Sequence, residues 1–315
     1  MSEIRRVQLE ACVRRHLPGA DGPITFEPIR TGKFNTSFFV RAGGEDLVLR
    51  IAPPPDAVFC FYERDMMKQE PGIHALLLER TTVPVARILA FDESHETIDR
   101  DFLLMERLPG TALSDGPRCD PDRVLRQVGE CLAQVHRLTA DRYGYLGEHC
   151  PMQPQETWAE ALRVMWGSLI GDVAATGHYD AAEAKRLVAL LDEHLALFDR
   201  PVQASLLHMD IWSQNLLVDS RGRLSGLVDW DRALWGDPEI EFAVLDYCGI
   251  SRPAFWRGYG RERDTSPEAQ VRGVFYFLYE LQKYIVIRHG RSRDPAAARG
   301  YKREVMGIVS RAFGE

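Results

Sequence analysis

The stretch between Leu207 and Asp231 constrains this chain more than any other. Two short apolar runs, 215–218 and 224–228, flank the turn Asp219-Ser220-Arg221-Gly222 and read as a hairpin. Three polar side chains stand around it: Asp210 ahead of the first strand, Asn215 at its start and Asp229 just past the second. A loop carrying Asp210 can present its carboxylate to a hydroxyl group, while hairpin pairing brings Asn215 and Asp229 together on one divalent ion. Hard oxygen donors suit Mg2+, which keeps its waters and needs few protein carboxylates. Such an ion bridges the β- and γ-phosphates of ATP as a phosphoryl group moves. The bland alternative is a buried strand pair with helix-capping carboxylates, which a lone His-x-Asp would favour. Asp210, Asn215, Asp229 and the turn Gly236-Asp237-Pro238 together favour the chemical reading.

The rest of the chain changes character near residue 108. After an opening helix, alternation predicts strands over 24–30, 36–42, 47–51, 86–91 and 102–107, with a hairpin turn at Gly43-Gly44. A helical stretch is expected over about 60–79, with Pro71-Gly72 as an interruption or a restart. From Pro121 onward helices dominate: Val124, Val128, Leu132 and Val135 make one apolar stripe, and Val271, Val274, Leu278, Leu281 and Ile285 another. Asp120-Pro121 and Asp237-Pro238-Glu239 read as an N-cap followed by a first turn. The pattern is α+β: a β-rich N-terminal lobe over 1–107 and a larger, mostly helical C-terminal lobe over 108–315.

Composition narrows the function classes. A net charge of −7 disfavours nucleic-acid binding, which needs a basic surface. The basic run 288–293 is expected to be a solvated turn. No apolar run reaches the roughly 18 residues of a membrane span, and the N-terminus lacks a signal-peptide core, so a cytoplasmic protein is expected. Six cysteines without a CxxC pair read as reduced thiols rather than a zinc site or a disulfide framework.

His208-x-Asp210-x4-Asn215, Val228-Asp229-Trp230 and Gly236-Asp237-Pro238 resemble the aminoglycoside phosphotransferase family of kinase-like enzymes, which includes choline, fructosamine and macrolide kinases. Trp212 resembles the fructosamine kinase branch. The resemblance runs from about residue 24 to 242 and implies a protein-kinase-like two-lobe fold, with ATP and Mg2+ in the cleft. It makes Asp210 the catalytic base, Asn215 and Asp229 the metal ligands, and His208 a support for the loop. Gly32, Asn35, Thr36 and Ser37 fall where a phosphate-covering loop belongs, although one glycine replaces the usual three. Arg50 stands where the family places a phosphate-binding lysine, a departure because a planar guanidinium is not an ammonium. Its expected partner is Glu70, with Glu63 as competitor. Residues 106–108, Glu106 and Leu108 among them, are expected to receive adenine on their backbone.

The acceptor implied is a small molecule bearing a hydroxyl, an antibiotic, amino sugar or amino alcohol, bound by the helical lobe. Glu156, Glu160, Asp172 and Glu280 are candidate acids for a cationic acceptor. Asp231 can face the metal, a substrate amine, or away. His136, beside an apolar stripe, is expected to be a satisfied core histidine. A protein kinase would share the three chemical residues, but the single-glycine loop and the missing long activation segment speak against it. A non-catalytic kinase-like scaffold is the other rival, encouraged only by Arg50.

Overall fold

Side-chain alternation decides how the N-terminal strands are used. The computed structural model describes residues 4–20, 22–32 and 34–314. Helix α1 (Arg6–His16) precedes strands β1 (Thr25–Ile29), β2 (Thr36–Ala42) and β3 (Glu45–Ile51), and β4 (Ile88–Asp92) and β5 (Phe102–Glu106) complete an antiparallel sheet of order β1-β2-β3-β5-β4. Gly43 and Gly44, at φ of 59° and 87°, make the expected turn; glycine reaches these left-handed values without a Cβ penalty. Leu47, Leu49 and Ile51 of β3 face α1, packing with Phe102, Leu104, Leu9 and Val13. Val48, Leu103 and Met105 face the other way, onto Met67 and Ala86. Arg50 shares the parity of Val48, so its guanidinium leaves the sheet on the side away from α1.

The helix expected over 60–79 is shorter. Met66–Gln69 form a 3-10 turn, and helix α2 (Glu70–Arg80) starts there with Pro71 in its first turn. Of the two roles left open for Pro71, the helix start is the one observed, because a first-turn N–H has no intrahelical partner to lose. Ile73 and Leu77 of α2 pack with Val124, Leu132 and Trp230, so α2 ties the sheet to the helical region.

The C-terminal region contains α3 (Pro121–Val135), α4 (Trp158–Ala175), α5 (Ala181–His194), α6 (Pro238–Tyr247), α7 (Pro253–Tyr259), α8 (Pro267–Gly290) and α9 (Pro295–Phe313). Asp120, Thr157, Asp180, Asp237, Ser266 and Asp294 cap six of these with a side-chain oxygen, each cap contributing about 1 kcal/mol. Helices α3 and α7 approach closely at Gly129 and Gly258, where an added Cβ would strike the carbonyl oxygens of Phe255 and Arg126. Short strands β6 (Thr111–Ala112), β7 (Thr139–Ala140), β8 (Ala204–Leu207), β9 (Leu216–Val218), β10 (Leu224–Leu227) and β11 (Leu234–Gly236) form two three-stranded sheets, β10-β9-β6 and β11-β8-β7. The hairpin β9–β10 was legible; β6, β7, β8 and β11 are two to four residues long, too short to show a period. The architecture is α+β, with the large sheet in the N-terminal region and helices in the C-terminal region. No helix among the described residues is long and apolar enough to cross a membrane. The six cysteines are free, three of them buried.

Candidate functional site

The loop between β8 and β9 is held by buried groups on every side. His208 is fully buried, hydrogen-bonds the Val228 carbonyl through Nε2 at 3.0 Å and packs on the Trp230 ring, as befits a loop support. Met209 takes a left-handed φ of 66°, costly for a residue with a Cβ. Two charged side chains fix it there: its N–H donates to Glu241 Oε1 at 2.5 Å, and its carbonyl accepts from Arg232 Nη1 at 2.6 Å. Glu241 is bound in turn by His136 Nε2 at 2.7 Å, while His136 Nδ1 meets Tyr259 Oη at 2.8 Å, so His136 is the satisfied core histidine expected. Although burial acts the other way, these hydrogen bonds hold the Glu241 pKa below its ordinary value. Asp210 follows, half-buried, with Asn215 Nδ2 donating to its carbonyl at 2.9 Å and its Oδ2 at 3.1 Å.

Opposite this loop, Arg50 is the meeting point of three acids. It donates from Nη1 to Glu70 at 2.5 Å, and from Nη2 to Asp229 and, at 3.0 Å, to Asp231. Glu70, not Glu63, is therefore its helix partner. Burial works against the Arg50 charge, yet Glu70, Asp229 and Asp231 keep its pKa above the ordinary value. Burial, opposed by Arg50, pushes Glu70 up to about 7. Asp231 is raised well above the carboxylate range by burial first and Asp229 second. Asp231 also accepts from Asn35 Nδ2 at 3.0 Å, so the loop before β2 reaches across the cleft. Gln69 Nε2 donates to the Asp231 carbonyl at 2.5 Å.

Other expected residues make contacts of their own. Gly32 is exposed, Lys33 lies outside the described residues, and Thr36 and Ser37 belong to β2, paired with Ile51 and Arg50. The Glu106 side chain turns outward to Arg87 at 2.7 Å, and its N–H is taken by the Arg87 carbonyl. Arg107 N–H goes to Asp46, while Leu108 packs beside the apolar cluster of Leu103 and Met105. Trp230 packs in the core. The solvated turn expected over 288–293 needs correction at Arg291, which pairs with Glu63 and lies over the Phe34 ring at 4.9 Å. Arg232, Glu241 and Arg291 were not singled out as functional. Only Arg232, directly after Asp231 in a recognised segment, carried a local hint.

The donor set suits a divalent cation. Glu70, Asp229 and Asp231 face one guanidinium, three carboxyl groups to a single cation. Asp229 remains 36% exposed on its side chain, and Asn215 spends its Nδ2 on Asp210, leaving its amide oxygen for a metal. Among the described residues no group of three His, Cys, Asp or Glu could hold an ion alone. Mg2+ bound largely through phosphates needs only one or two carboxylates.

Comparison with known proteins identifies the family of the chain. The model of the phosphotransferase enzyme family matches residues 25–273. Hygromycin-B 4-O-kinase of Escherichia coli is 25% identical over 287 residues, 85% of this chain and 76% of that protein. Acyl-CoA dehydrogenase family member 11 of Mus musculus is 25% identical over 252 residues, 75% of this chain, which spans only 30% of that longer protein. A thermostable mutant of aminoglycoside phosphotransferase APH(4)-Ia, in ternary complex with AMP-PNP and hygromycin B, superposes with a TM-score of 0.66 at 19% identity, covering 95% of this chain and 97% of the other. With most of its length matched by the family model, the chain belongs to the phosphotransferase enzyme family.

Proposed function

We propose that this protein is an ATP-dependent small-molecule kinase that transfers the γ-phosphate of ATP to a hydroxyl group. The observation that carries the reading is the convergence of Asp210, Asn215 and Asp229 opposite the Arg50–Glu70 pair. Residues 1–107 serve as the nucleotide lobe and 108–315 as the acceptor lobe, with Leu108 at the adenine-receiving linker.

Asp210 takes the proton of the acceptor hydroxyl as its oxygen bonds the γ-phosphorus, while the bond from that phosphorus to the bridging oxygen breaks and ADP leaves. Asn215 holds the Asp210 carboxylate in position. Asn215 and Asp229 would hold Mg2+, which supplies charge neutralisation on the phosphates when bound. Arg50, with its fixed charge, moves from the carboxylates onto phosphate oxygens, and Glu70 anchors it. Gly32, Asn35, Thr36 and Ser37 cover the nucleotide, Asn35 tying the loop to Asp231. Because phosphoryl transfer relies on positioning and charge stabilisation, Asp210 and Asp229 weigh far more than Thr36.

The test is Mg·ATP consumption by the purified protein with a panel of hydroxylated acceptors, Asp210→Ala serving as control. Acceptor-stimulated turnover lost in the variant supports the reading. No binding of Mg·ATP would overturn it.

A further inference from the structure

The acids that could have received a cationic acceptor are all engaged. Glu156 pairs with Arg142 at the surface. Glu160 closes the cap of α4 on Thr157 at 3.0 Å. Asp172 accepts the Phe61 N–H at 2.6 Å beneath the 53–65 segment. Glu280, the one nearest the catalytic loop, is shared by two cations: Arg232 Nη1 at 3.0 Å and Lys283 Nζ at 2.5 Å. A desolvated ammonium needs a charged partner, and Glu280 already holds two cations.

What it has instead is an aromatic wall. From Asp210 the contacts run through the Met209 carbonyl to Arg232, to Glu280 and to Lys283. Lys283 Nζ lies 4.8 Å from the ring centroid of Tyr284. Tyr284 stacks on Tyr301 at 5.1 Å and meets Tyr247 at 5.3 Å, and the Tyr247 and Tyr301 hydroxyls are 2.9 Å apart. Tyr247 is 36% exposed, and Tyr284 and Tyr301 are half-buried, so the wall opens to solvent. The Asp210 charge also contributes to raising the pKa of Tyr284, behind burial and Glu280, which places this ring within electrostatic reach of the base. Aromatic faces bind either a cation or the apolar face of a ring. Here the chain's own Lys283 fills the cation position.

We infer that the acceptor is a hydroxylated ring compound without ammonium groups, seated against Tyr247, Tyr284 and Tyr301, and that Lys283 sets this preference. The inference rests on Asp210 being the catalytic base. It departs from a polycationic acceptor, which the acids of the sequence alone would have suggested.

The experiment has two arms. Calorimetric titration with Mg·AMP-PNP tests the nucleotide site, and absence of binding would overturn the kinase reading and this inference with it. With that binding in place, turnover is measured on matched acceptors: a deoxystreptamine aminoglycoside and its fully N-acetylated form, together with hexoses, inositol and nucleosides. The expected result is Asp210-dependent turnover of neutral rings, with kcat/KM about tenfold or more above that of any amine counterpart. Tyr247→Ala, at a partly exposed position, should raise the acceptor KM by about three- to tenfold, the scale of one aromatic contact, without raising that for ATP. Lys283→Met, which keeps the volume and removes the charge, should shift the ratio toward amines. Preference for the free amine, no turnover of any neutral ring, or an unchanged ratio in Lys283→Met would each overturn the inference while leaving the kinase reading intact.

Discussion

The two sides of Asp210 solve the problem of buried charge differently. On the side proposed for the nucleotide one guanidinium, Arg50, faces Glu70, Asp229 and Asp231. On the side proposed for the acceptor Arg232 and Lys283 share Glu280. The first cluster sets three carboxyl groups against one cation and has room for another cation. The second sets two cations against one acid and asks for none. Burial alone therefore does not tell what a site binds; the balance of charges within it does.

The largest effect should come from the reacting centre. Asp210→Ala and Asp229→Ala are each expected to lower kcat by about a thousandfold or more, with circular dichroism and melting unchanged in kind; near-normal turnover in both would sink the mechanism. Next is stability. Arg50→Met leaves Glu70 and Asp231 without their cation and should cost about 3–5 kcal/mol in urea unfolding. Arg232→Met leaves Glu280 its Lys283, so about 1–3 kcal/mol is expected. Equal losses would break the contrast between the two sides.

A pH series sharpens the picture on the nucleotide side. Burial lifts Glu70 to about 7 from 4.5 and lowers His74 to about 4 from 6.5, and the two side chains are 3.8 Å apart. For Glu70 the folded state binds its proton more tightly than the unfolded chain, so stability grows as pH falls from 7 toward 4.5. For His74 the folded state binds its proton less tightly, so stability is lost as pH falls from 6.5 toward 4. In the wild type these slopes oppose each other. Relative to it, Glu70→Gln should lose about 2–3 kcal/mol on acidification and His74→Gln should gain a similar amount. Parallel pH profiles for all three proteins would show the pair to be uncoupled from folding. The smallest effect is that of Mg2+ alone, which should raise the melting temperature by about 2 °C by binding the folded state; Asp229→Ala should abolish that rise.

Much of the site was readable because its chemistry is packed into one stretch of chain. Asp210, Asn215 and Asp229 are linked by a short hairpin, so local pairing alone brings them together. The Arg50–Glu70 pair was expected from the resemblance alone; strand parity and the first turn of α2 are what fix the two side chains. Arg291 was misread because a basic run after a long helix looks solvated until the Glu63 segment folds over it. Arg232 is the same kind of case: an ordinary surface-type residue whose partner, Glu280, comes from another element. The helix starts at Glu70 rather than near residue 60 because Met66–Gln69 ahead of it form a separate 3-10 turn.

By itself the sequence determined the two-part α+β order, the helix caps Asp120 and Asp237, and the hairpin that joins Asn215 to Asp229. These follow from interactions among residues close along the chain, where spacing is geometry. Only the tertiary structure decided which acids were left free. It spent Asp172 on a backbone N–H and Glu280 on two cations, and set three tyrosines from α6, α8 and α9 side by side. Charge compensation in a buried site depends on distance in space, and no spacing along the chain records it.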